Sequence, residues 1–204
     1  MGVTAFLVDD DPGVLKALSR MVRTAGYETR CYLSPRAFLT EHDPSTPGCA
    51  IVDLAMPDLD GLELQRHLGK ESIVRPIIFL TGNGDIPTSV HAMKAGAVDF
   101  LTKPVNRSDL LNAMARAVAQ DAMLRQSSAE RNSIEARLSR LTPRERQVLE
   151  HVIAGRLNKQ IAVALGTVEK TIKVHRARMM AKLQVRNVAE LVRLAQQAGV
   201  APSA

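Results

Sequence analysis

The sequence predicts an α/β domain followed by a small all-α domain. Short apolar runs alternate with helix-period stretches over residues 1–120, whereas from residue 141 onward only compact helical patterns occur. The two parts also differ in charge. Residues 1–120 hold 12 Lys and Arg against 14 Asp and Glu, and residues 121–204 hold 15 against 7. We therefore expect two domains, of which the second is basic enough to bind a phosphate backbone.

The α/β prediction depends on five strand-helix units. The strand-like runs are VTAFLV, ETRCYL, CAIVDL, PIIFLTG and VDFLTK, and the helix-like stretches are VLKALSRMVRTAG, SPRAFLTEH, GLELQRHLG, IPTSVHAMKAGA and NRSDLLNAMARAVA. Consecutive units with such short connections favour a parallel sheet with helices on both faces. Ligands of such sheets bind beyond the carboxyl ends of the strands.

Polar side chains follow four of the predicted strands at this edge. Asp9 and Asp10 end the first strand, Asp53 the third and Thr81 the fourth, and Lys103 follows the fifth. Clustered carboxylates resist ionising together unless a cation is present, and an oxygen-only set suits Mg²⁺. These groups make a phosphoryl-transfer site in which Asp53 attacks phosphorus. The metal and Lys103 would neutralise the phosphoryl oxygens, and Thr81 would hydrogen-bond one of them.

Each of these residues, taken singly, has an ordinary structural alternative. Acidic residues at strand ends often cap helices, and Asp11 before Pro12 is placed to cap the first helix. A lone Thr or Lys is usually a surface residue. The joint occurrence at successive strand ends favours the phosphoryl-transfer site.

The motifs LVDDDP, IVDLAMPDLDG, FLTGNGD and AGAVDFLTKP resemble the receiver domain of two-component response regulators over residues 1–120. The resemblance implies a flavodoxin-like fold with strand order 2-1-3-4-5 and Asp53 as the phosphoacceptor. It also implies a metal site formed by Asp9, Asp10, Asp53 and the backbone carbonyl of Ala55.

The same resemblance implies a cis peptide bond between Lys103 and Pro104, which would aim the Lys103 amine inward. Phe100 would be the aromatic side chain whose rotamer follows phosphorylation, while Thr81 moves toward the phosphate. An ordinary core aromatic is the alternative for Phe100. In relatives, this rearrangement is coupled to dimerisation through the face around residues 86–103.

A helical linker is predicted for residues 121–140, which are polar, favour helix and contain no proline. Ile134, Leu138 and Leu141 are spaced by four and three residues. Two interpretations stay open, namely a short coiled-coil seam and a solvated extension of the last receiver helix.

Four helices are predicted for residues 141–204. Thr142 as N-cap, Pro143 at the first position and Glu145 three residues after the cap form a complete start signal, and Gly155 ends this helix. The segments NKQIAVALG, VEKTIKVHRARMMAKL and NVAELVRLAQQAG predict the other three helices.

The third of these helices carries the cations expected of a DNA-binding helix in a major groove. They are Lys170, Lys173, His175, Arg176, Arg178 and Lys182, around an apolar stripe of Ile172, Met179 and Leu183. A merely soluble basic helix is the alternative.

Residues 139–200 resemble the LuxR-type helix-turn-helix, and the whole chain resembles FixJ-type regulators of the NarL/FixJ class. The resemblance makes residues 158–166 the scaffold helix, 168–183 the recognition helix and 187–198 a dimerisation helix. Base contacts would fall on Lys173 and Val174, and backbone contacts on Lys170, His175 and Arg176. Two positions depart from the family pattern.

The first departure is Val168, where many members have Ser; we expect Thr167 to serve as N-cap one residue earlier. The second is Ala177, where some relatives present a lysine to the bases.

The predicted function is that of a phosphorylation-controlled transcription factor rather than an enzyme. Its partners would be a sensor histidine kinase, double-stranded promoter DNA, a second copy on phosphorylation and, at promoters, RNA polymerase. A Mg²⁺-dependent phosphohydrolase is one alternative, but DLAMPDLD lacks the usual D-x-D spacing. A signalling module whose helical part binds protein is another.

The predicted location is the cytoplasm, without membrane attachment. No run approaches the roughly 18 to 20 apolar residues of a membrane span, and the N-terminus lacks a signal-peptide pattern. Cys31 and Cys49 lie in apolar strand-like runs without metal-ligand spacing, so we expect both to be buried, reduced thiols.

Overall fold

The computed structural model of the chain describes residues 2–70, 75–82 and 86–203. Residues 83–85 of the FLTGNGD motif therefore lie outside the described residues. The chain divides into two compact units, Met1–Arg125 and Gln126–Ala204. Of the helices in the described ranges, none combines the length and apolar character needed to cross a membrane.

The first unit is built on a parallel sheet with strand order β2-β1-β3-β4-β5, as predicted. The strands are β1 Thr4–Val8, β2 Glu28–Tyr32, β3 Gly48–Asp53, β4 Ile77–Thr81 and β5 Asp99–Thr102. The helices are α1 Pro12–Arg23, α2 Pro35–Glu41, α3 Gly61–Lys70, α4 Ile86–Lys94 and α5 Arg107–Leu138. Since Val8 pairs with Val52 and Asp53 pairs with Leu80, the carboxyl ends of the central strands lie side by side.

Alternate strand residues form two cores on the two faces of the sheet. Ala5 and Leu7 of β1 belong to the core with α1 and α5, whereas Phe6 and Val8 belong to the core with α2, α3 and α4. Because both faces are covered, β1, β3 and β4 are buried along their whole length.

The two cysteines differ in environment. Both thiols are free, and Cys49 is buried, which raises its pKa to about 12. The prediction that Cys31 is buried was wrong. Cys31 lies on β2, the edge strand, and lines an open groove together with Ser19 and Arg23 of α1.

Two arginines fix the segment between α2 and β3. Arg75, with a side chain only 1% exposed, donates hydrogen bonds to four backbone carbonyls between Asp43 and Gly48. Arg125 donates to three carbonyls of the same segment. Asp121 of α5 accepts hydrogen bonds from Arg125 Nε at 2.7 Å and from the Gly48 backbone at 2.9 Å. This network fastens α5 to the amino edge of the sheet.

The second unit consists of the end of α5 and four further helices. These are α6 Pro143–Ile153, α7 Asn158–Ala164, α8 Glu169–Leu183 and α9 Val188–Gln197. Thr142 caps α6 in the predicted capping box with Glu145. The core contains residues from every helix, including Val148, Leu149, Ile161, Ile172, Met179, Leu183, Leu191 and Leu194.

The linker positions Ile134 and Leu138 belong to this core as well. They are 5% and 8% exposed. Helix α5 is continuous from Arg107 to Leu138, as the extension interpretation expected, but these two side chains are neither solvated nor available for a coiled-coil seam. The physical reason is that the small helical unit buries them against its own helices.

Candidate functional sites

The carboxyl ends of the strands bring Asp9, Asp53, Thr81 and Lys103 to one edge of the sheet. Asp9 follows β1, Asp53 ends β3 and Thr81 ends β4, and all three are at most 5% exposed. Lys103 follows β5, and its backbone N–H donates a hydrogen bond of 2.7 Å to the Thr81 carbonyl. The peptide bond between Lys103 and Pro104 is cis, as the resemblance implied.

The Lys103 amine bridges two carboxylates. Its Nζ lies 2.6 Å from Oδ2 of Asp9 and 2.6 Å from Oδ1 of Asp53. The other oxygen of Asp9 accepts a hydrogen bond of 2.9 Å from the Asp11 backbone. Asp11 itself caps α1, as predicted: its carboxylate accepts hydrogen bonds from the backbone N–H groups of Gly13 and Val14. That carboxylate is therefore used at the start of α1 rather than in the contacts of Lys103. Because Lys103 contacts Oδ1 of Asp53, Oδ2 is the Asp53 oxygen that this amine does not contact.

Burial and the neighbouring charges both act on the ionisation of Asp53. Burial raises the pKa of Asp53 above its ordinary value of 3.8, Lys103 opposes this increase, and the charges of Asp9 and Asp10 add to it. Burial lowers the pKa of Lys103, but the hydrogen bonds to Asp53 and Asp9 outweigh burial and raise it overall. The site thus favours an additional positive charge near Asp53.

The donor atoms at this edge fit a hard divalent cation. Asp9, Asp10 and Asp53 provide carboxylate oxygens, and Asp10 and Ala55 are exposed beside the buried pair. Among the residues that the structure describes, no three acidic, His or Cys side chains already form a ligand group. Burial is the main cause of the raised pKa of Asp53, and the charges of Asp9 and Asp10 add to it, so a cation such as Mg²⁺ would favour the ionised carboxylate.

Gly61 is a positioning residue that sequence analysis did not single out. A Cβ atom at Gly61 would lie 2.8 Å from the Asp53 carbonyl oxygen and 2.9 Å from Cε1 of Phe79. The Gly61 N–H donates a hydrogen bond of 3.0 Å to the Leu54 carbonyl. Glycine thus lets the start of α3 approach the end of β3, and the DG pair at the end of IVDLAMPDLDG was the available signal.

Phe100 lies on β5 and is half-buried. Its ring is tilted by 55° relative to that of Phe79, with the centroids 6.5 Å apart. Phe100 pairs with Phe79 in the strand register, and Thr81 pairs with Thr102. The two predicted switch residues therefore lie on neighbouring strands.

In the second unit, α8 presents a continuous exposed stripe. Its members recur at helical spacing and are Lys170, Lys173, Val174, Ala177, Arg178 and Ala181. The opposite side, with Ile172, Met179 and Leu183, is buried in the core. The exposed alanines of the stripe, Ala177 and Ala181, leave room for close approach of a ligand backbone.

Three predicted contact residues of α8 lie beside the stripe and are only partly exposed. They are His175, Arg176 and Lys182. Arg176 donates a hydrogen bond of 3.0 Å to Oδ1 of Asn158 on α7, and Lys182 lies 2.6 Å from Oε2 of Glu145 on α6. Within the stripe, Lys173 forms an exposed i, i+4 ion pair with Glu169 at 3.0 Å.

The expectation that Thr167 caps α8 was wrong. The N-cap residue is Val168, which provides no side-chain hydrogen bond, and α8 begins at Glu169. Thr167 instead follows the left-handed Gly166, and its backbone N–H donates to the carbonyl of Ala162. Because Thr167 belongs to the turn that closes α7, its side chain is one residue too early to cap α8.

Comparisons with known proteins match this architecture in both units. The family model of the response regulator receiver domain matches residues 5–115, and that of the bacterial regulatory proteins of the luxR family matches residues 139–195. The chain belongs to the two-component response regulators, with a receiver domain and a LuxR-type DNA-binding domain. Within that family it is of the NarL/FixJ class, whose members are transcriptional regulators rather than enzymes.

Similar proteins cover almost the entire chain. The transcriptional regulatory protein FixJ of Rhizobium meliloti is 42% identical over 200 residues, which are 98% of each chain. The response regulator protein TmoT of Ectopseudomonas mendocina is 42% identical over 192 residues, 94% of this chain and 87% of TmoT. The solved structure of the response regulator StyR is similar with a TM-score of 0.87 and 43% identity, covering 97% of this chain and 100% of StyR.

Proposed function

We propose that the protein accepts a phosphoryl group on Asp53 from a sensor histidine kinase and then binds promoter DNA as a dimer. The observation that carries this proposal is the Asp53 carboxylate, held 2.6 Å from the Lys103 amine at the carboxyl edge of the sheet. Membership of the response regulators supports the kinase as donor, and the LuxR-type domain supports DNA as the target.

The chemistry is a transfer to a carboxylate. Oδ2 of Asp53 attacks phosphorus while the bond between phosphorus and the donor's leaving group breaks, and the product is an acyl phosphate. The Lys103 ammonium neutralises charge on the phosphoryl oxygens, and the Thr81 hydroxyl hydrogen-bonds one of them. Asp9 keeps the Lys103 amine in position, because the two groups are already in contact at 2.6 Å.

Receiver domains generally bind Mg²⁺ at their phosphorylation site. In this chain, the carboxylates of Asp9, Asp10 and Asp53 and the backbone carbonyl of Ala55 would hold the ion. When bound, Mg²⁺ supplies positive charge to the phosphoryl oxygens.

The phosphoacceptor is tested by intact mass after incubation with acetyl phosphate and Mg²⁺. The wild type should gain one alkali-labile phosphate, and Asp53→Asn should gain none. Asp11→Asn is the matched control, since Asp11 caps α1 and Asn caps helices equally well. A labile phosphate on Asp53→Asn would overturn the assignment.

Phosphorylation is proposed to drive dimerisation through the face around residues 86–103. Val90 and Met93 of α4 are each 45% exposed on this face, which supports an apolar contact between two copies. Thr81 and Phe100 would couple the phosphate to that face by shifting an existing equilibrium. Sedimentation should show more dimer with the phosphodonor than without it, and equal monomer fractions would contradict the coupling.

The exposed stripe of α8 is proposed to enter the major groove. Lys173 and Val174 would contact bases, and the cations Lys170, His175, Arg176 and Arg178 would contact phosphates. Two recognition helices of a dimer would occupy successive major grooves about one helical turn apart. Footprinting of the phosphorylated protein should therefore give an inverted repeat, and a single half-site footprint would argue against a bound dimer.

The proposed domain bounds are residues 1–120 for the receiver domain, 121–140 for the linker and 141–204 for the DNA-binding domain. Residues 187–198, which include α9, are proposed for dimerisation on DNA. RNA polymerase is a further proposed partner at the promoter.

A further inference from the structure

We propose that Lys182 is a positioning residue that fastens the end of the recognition helix α8 to α6, and that it does not contact a DNA phosphate. This inference rests on the proposed DNA-binding function. It differs from the sequence-based prediction, in which Lys182 was one of the cations directed at DNA.

The contact that supports the inference is an ion pair with a buried carboxylate. Lys182 Nζ lies 2.6 Å from Oε2 of Glu145, whose side chain is 3% exposed, whereas the Lys182 side chain is 34% exposed. The same oxygen of Glu145 accepts a hydrogen bond of 2.9 Å from the Thr142 backbone. One carboxylate therefore closes the capping box of α6 and binds the last turn of α8.

Electrostatics separate Lys182 from the other cations of α8. The Lys182–Glu145 pair has no net charge, so the attraction between Lys182 and a nearby phosphate would be offset by repulsion from Glu145. If Lys182 turned toward DNA, it would leave a buried carboxylate without its counter-charge, which is strongly unfavourable. Glu169, the partner of Lys173, is 45% exposed, so Lys173 can easily exchange its contact with Glu169 for a contact with water or a phosphate.

The last turn of α8 has a second anchor beside this pair. Arg137, near the end of α5, donates a hydrogen bond of 3.2 Å from Nη1 to the Leu183 carbonyl. Earlier in α8, Arg176 is held by Asn158 of α7. Helix α8, which carries the exposed stripe, therefore has polar contacts with three neighbouring helices, α5, α6 and α7. Of these three contacts, the one made by Lys182 is an ion pair.

The first experiment measures how DNA affinity depends on salt in the full-length protein. The probe is a duplex selected from random sequences by the phosphorylated wild type. Lys182→Met should lower the affinity by the same factor at every salt concentration and leave the slope of log K against log [salt] unchanged. Arg178→Met, the matched control on the exposed stripe, should lower the slope magnitude by about one, as expected for one lost phosphate contact.

The second experiment is a double-mutant cycle without DNA. Amide hydrogen exchange in α6 and α8 should accelerate roughly tenfold or more in Lys182→Met and in Glu145→Gln, since each removes one charge of a pair whose carboxylate is buried. The double variant should exchange more slowly than the product of the two single effects predicts. Lys182→Arg, which keeps the charge, should retain most of the protection and the wild-type salt slope.

Two results would overturn the inference. One is a slope for Lys182→Met that falls by about one, as for Arg178→Met. The other is a strictly multiplicative effect in the exchange cycle. Failure of the proposed function would look different, because the wild type would then bind selected and random duplexes equally, while the exchange cycle would still report the link between Lys182 and Glu145.

Discussion

Replacing Ile134 with Ala should destabilise the DNA-binding unit although Ile134 lies in the predicted linker. The side chain is 5% exposed and packs in the core of the second unit. The change removes three carbon groups, which at about 0.8 kcal/mol for each gives roughly 2.4 kcal/mol of lost burial. The cavity left behind adds to this value, so the loss should lie between about 2.4 and 5 kcal/mol.

Hydrogen exchange of the full-length protein provides the assay, because it reports each unit separately. A loss of 2.4 kcal/mol corresponds to exchange about 50-fold faster in the core amides of α6, α8 and α9, since 1.36 kcal/mol is a factor of ten. Amides of β1, β3 and β4 should keep their wild-type rates.

Val163→Ala is the matched control in the same unit. Val163 is 78% exposed on α7, so its truncation should change stability by no more than about 0.5 kcal/mol. If Ile134→Ala exchanged like this control, Ile134 would be solvated in solution and its place in the core would be refuted. If instead the variant kept its stability but lost a dimer in sedimentation, the coiled-coil interpretation would be correct.

Four further predictions test single contacts. Asp10→Asn should weaken Mg²⁺ binding by about tenfold or more, because it removes one charge from a hard-cation site; an unchanged Mg²⁺ titration would contradict this role. Val168→Ser should stabilise the second unit by about 0.5 to 2 kcal/mol, since it supplies the side-chain cap that α8 lacks; no change in thermal unfolding would show that the start of α8 gains nothing from a cap. Burial alone would raise the pKa of Glu145, but hydrogen bonds from Lys182 and Thr142 hold it below the ordinary value of 4.5. Its stabilising contribution should thus be complete above pH 4.5 and decline as the pH falls through the lower folded pKa, so the difference in thermal midpoint between wild type and Glu145→Gln should shrink in acid. Lys173→Ala should cost about 1 to 3 kcal/mol on the selected site and much less on random DNA, and an unchanged sequence preference of the variant would make Lys173 a backbone contact.

The receiver fold and the residues at its active edge could be predicted because their signals are local. Four of the five strands carry a polar residue at or just after their carboxyl end, and parallel strands with short crossovers must end at the same edge. Asp9, Asp53 and Thr81 are short side chains attached to those strand ends, so their backbone positions nearly determine where their oxygens lie.

The contacts of Lys103 show what local sequence signals do not predict. Its backbone position follows from β5, but its side chain is long and flexible, and the sequence does not determine which carboxylate its amine approaches. Tertiary packing brings the Asp9 and Asp53 carboxylates within 2.6 Å of the same nitrogen. Gly61 likewise owes its role to the approach of α3 to the end of β3, a distance that no periodicity encodes.

The sequence by itself determined which segments are helices and strands, and which residues carry the chemistry at the strand ends. The tertiary structure alone decided the roles of Ile134 and Lys182. A spacing of four and three residues suits a coiled coil and a domain core equally, and only the surrounding helices place Ile134 in a core. Arg178 and Lys182 are one helical turn apart, so periodicity treats them alike. Glu145, which lies 37 residues before Lys182 in the sequence, distinguishes the two cations. A buried carboxylate must be paired with a positive charge, and only the folded chain brings the Lys182 amine to it.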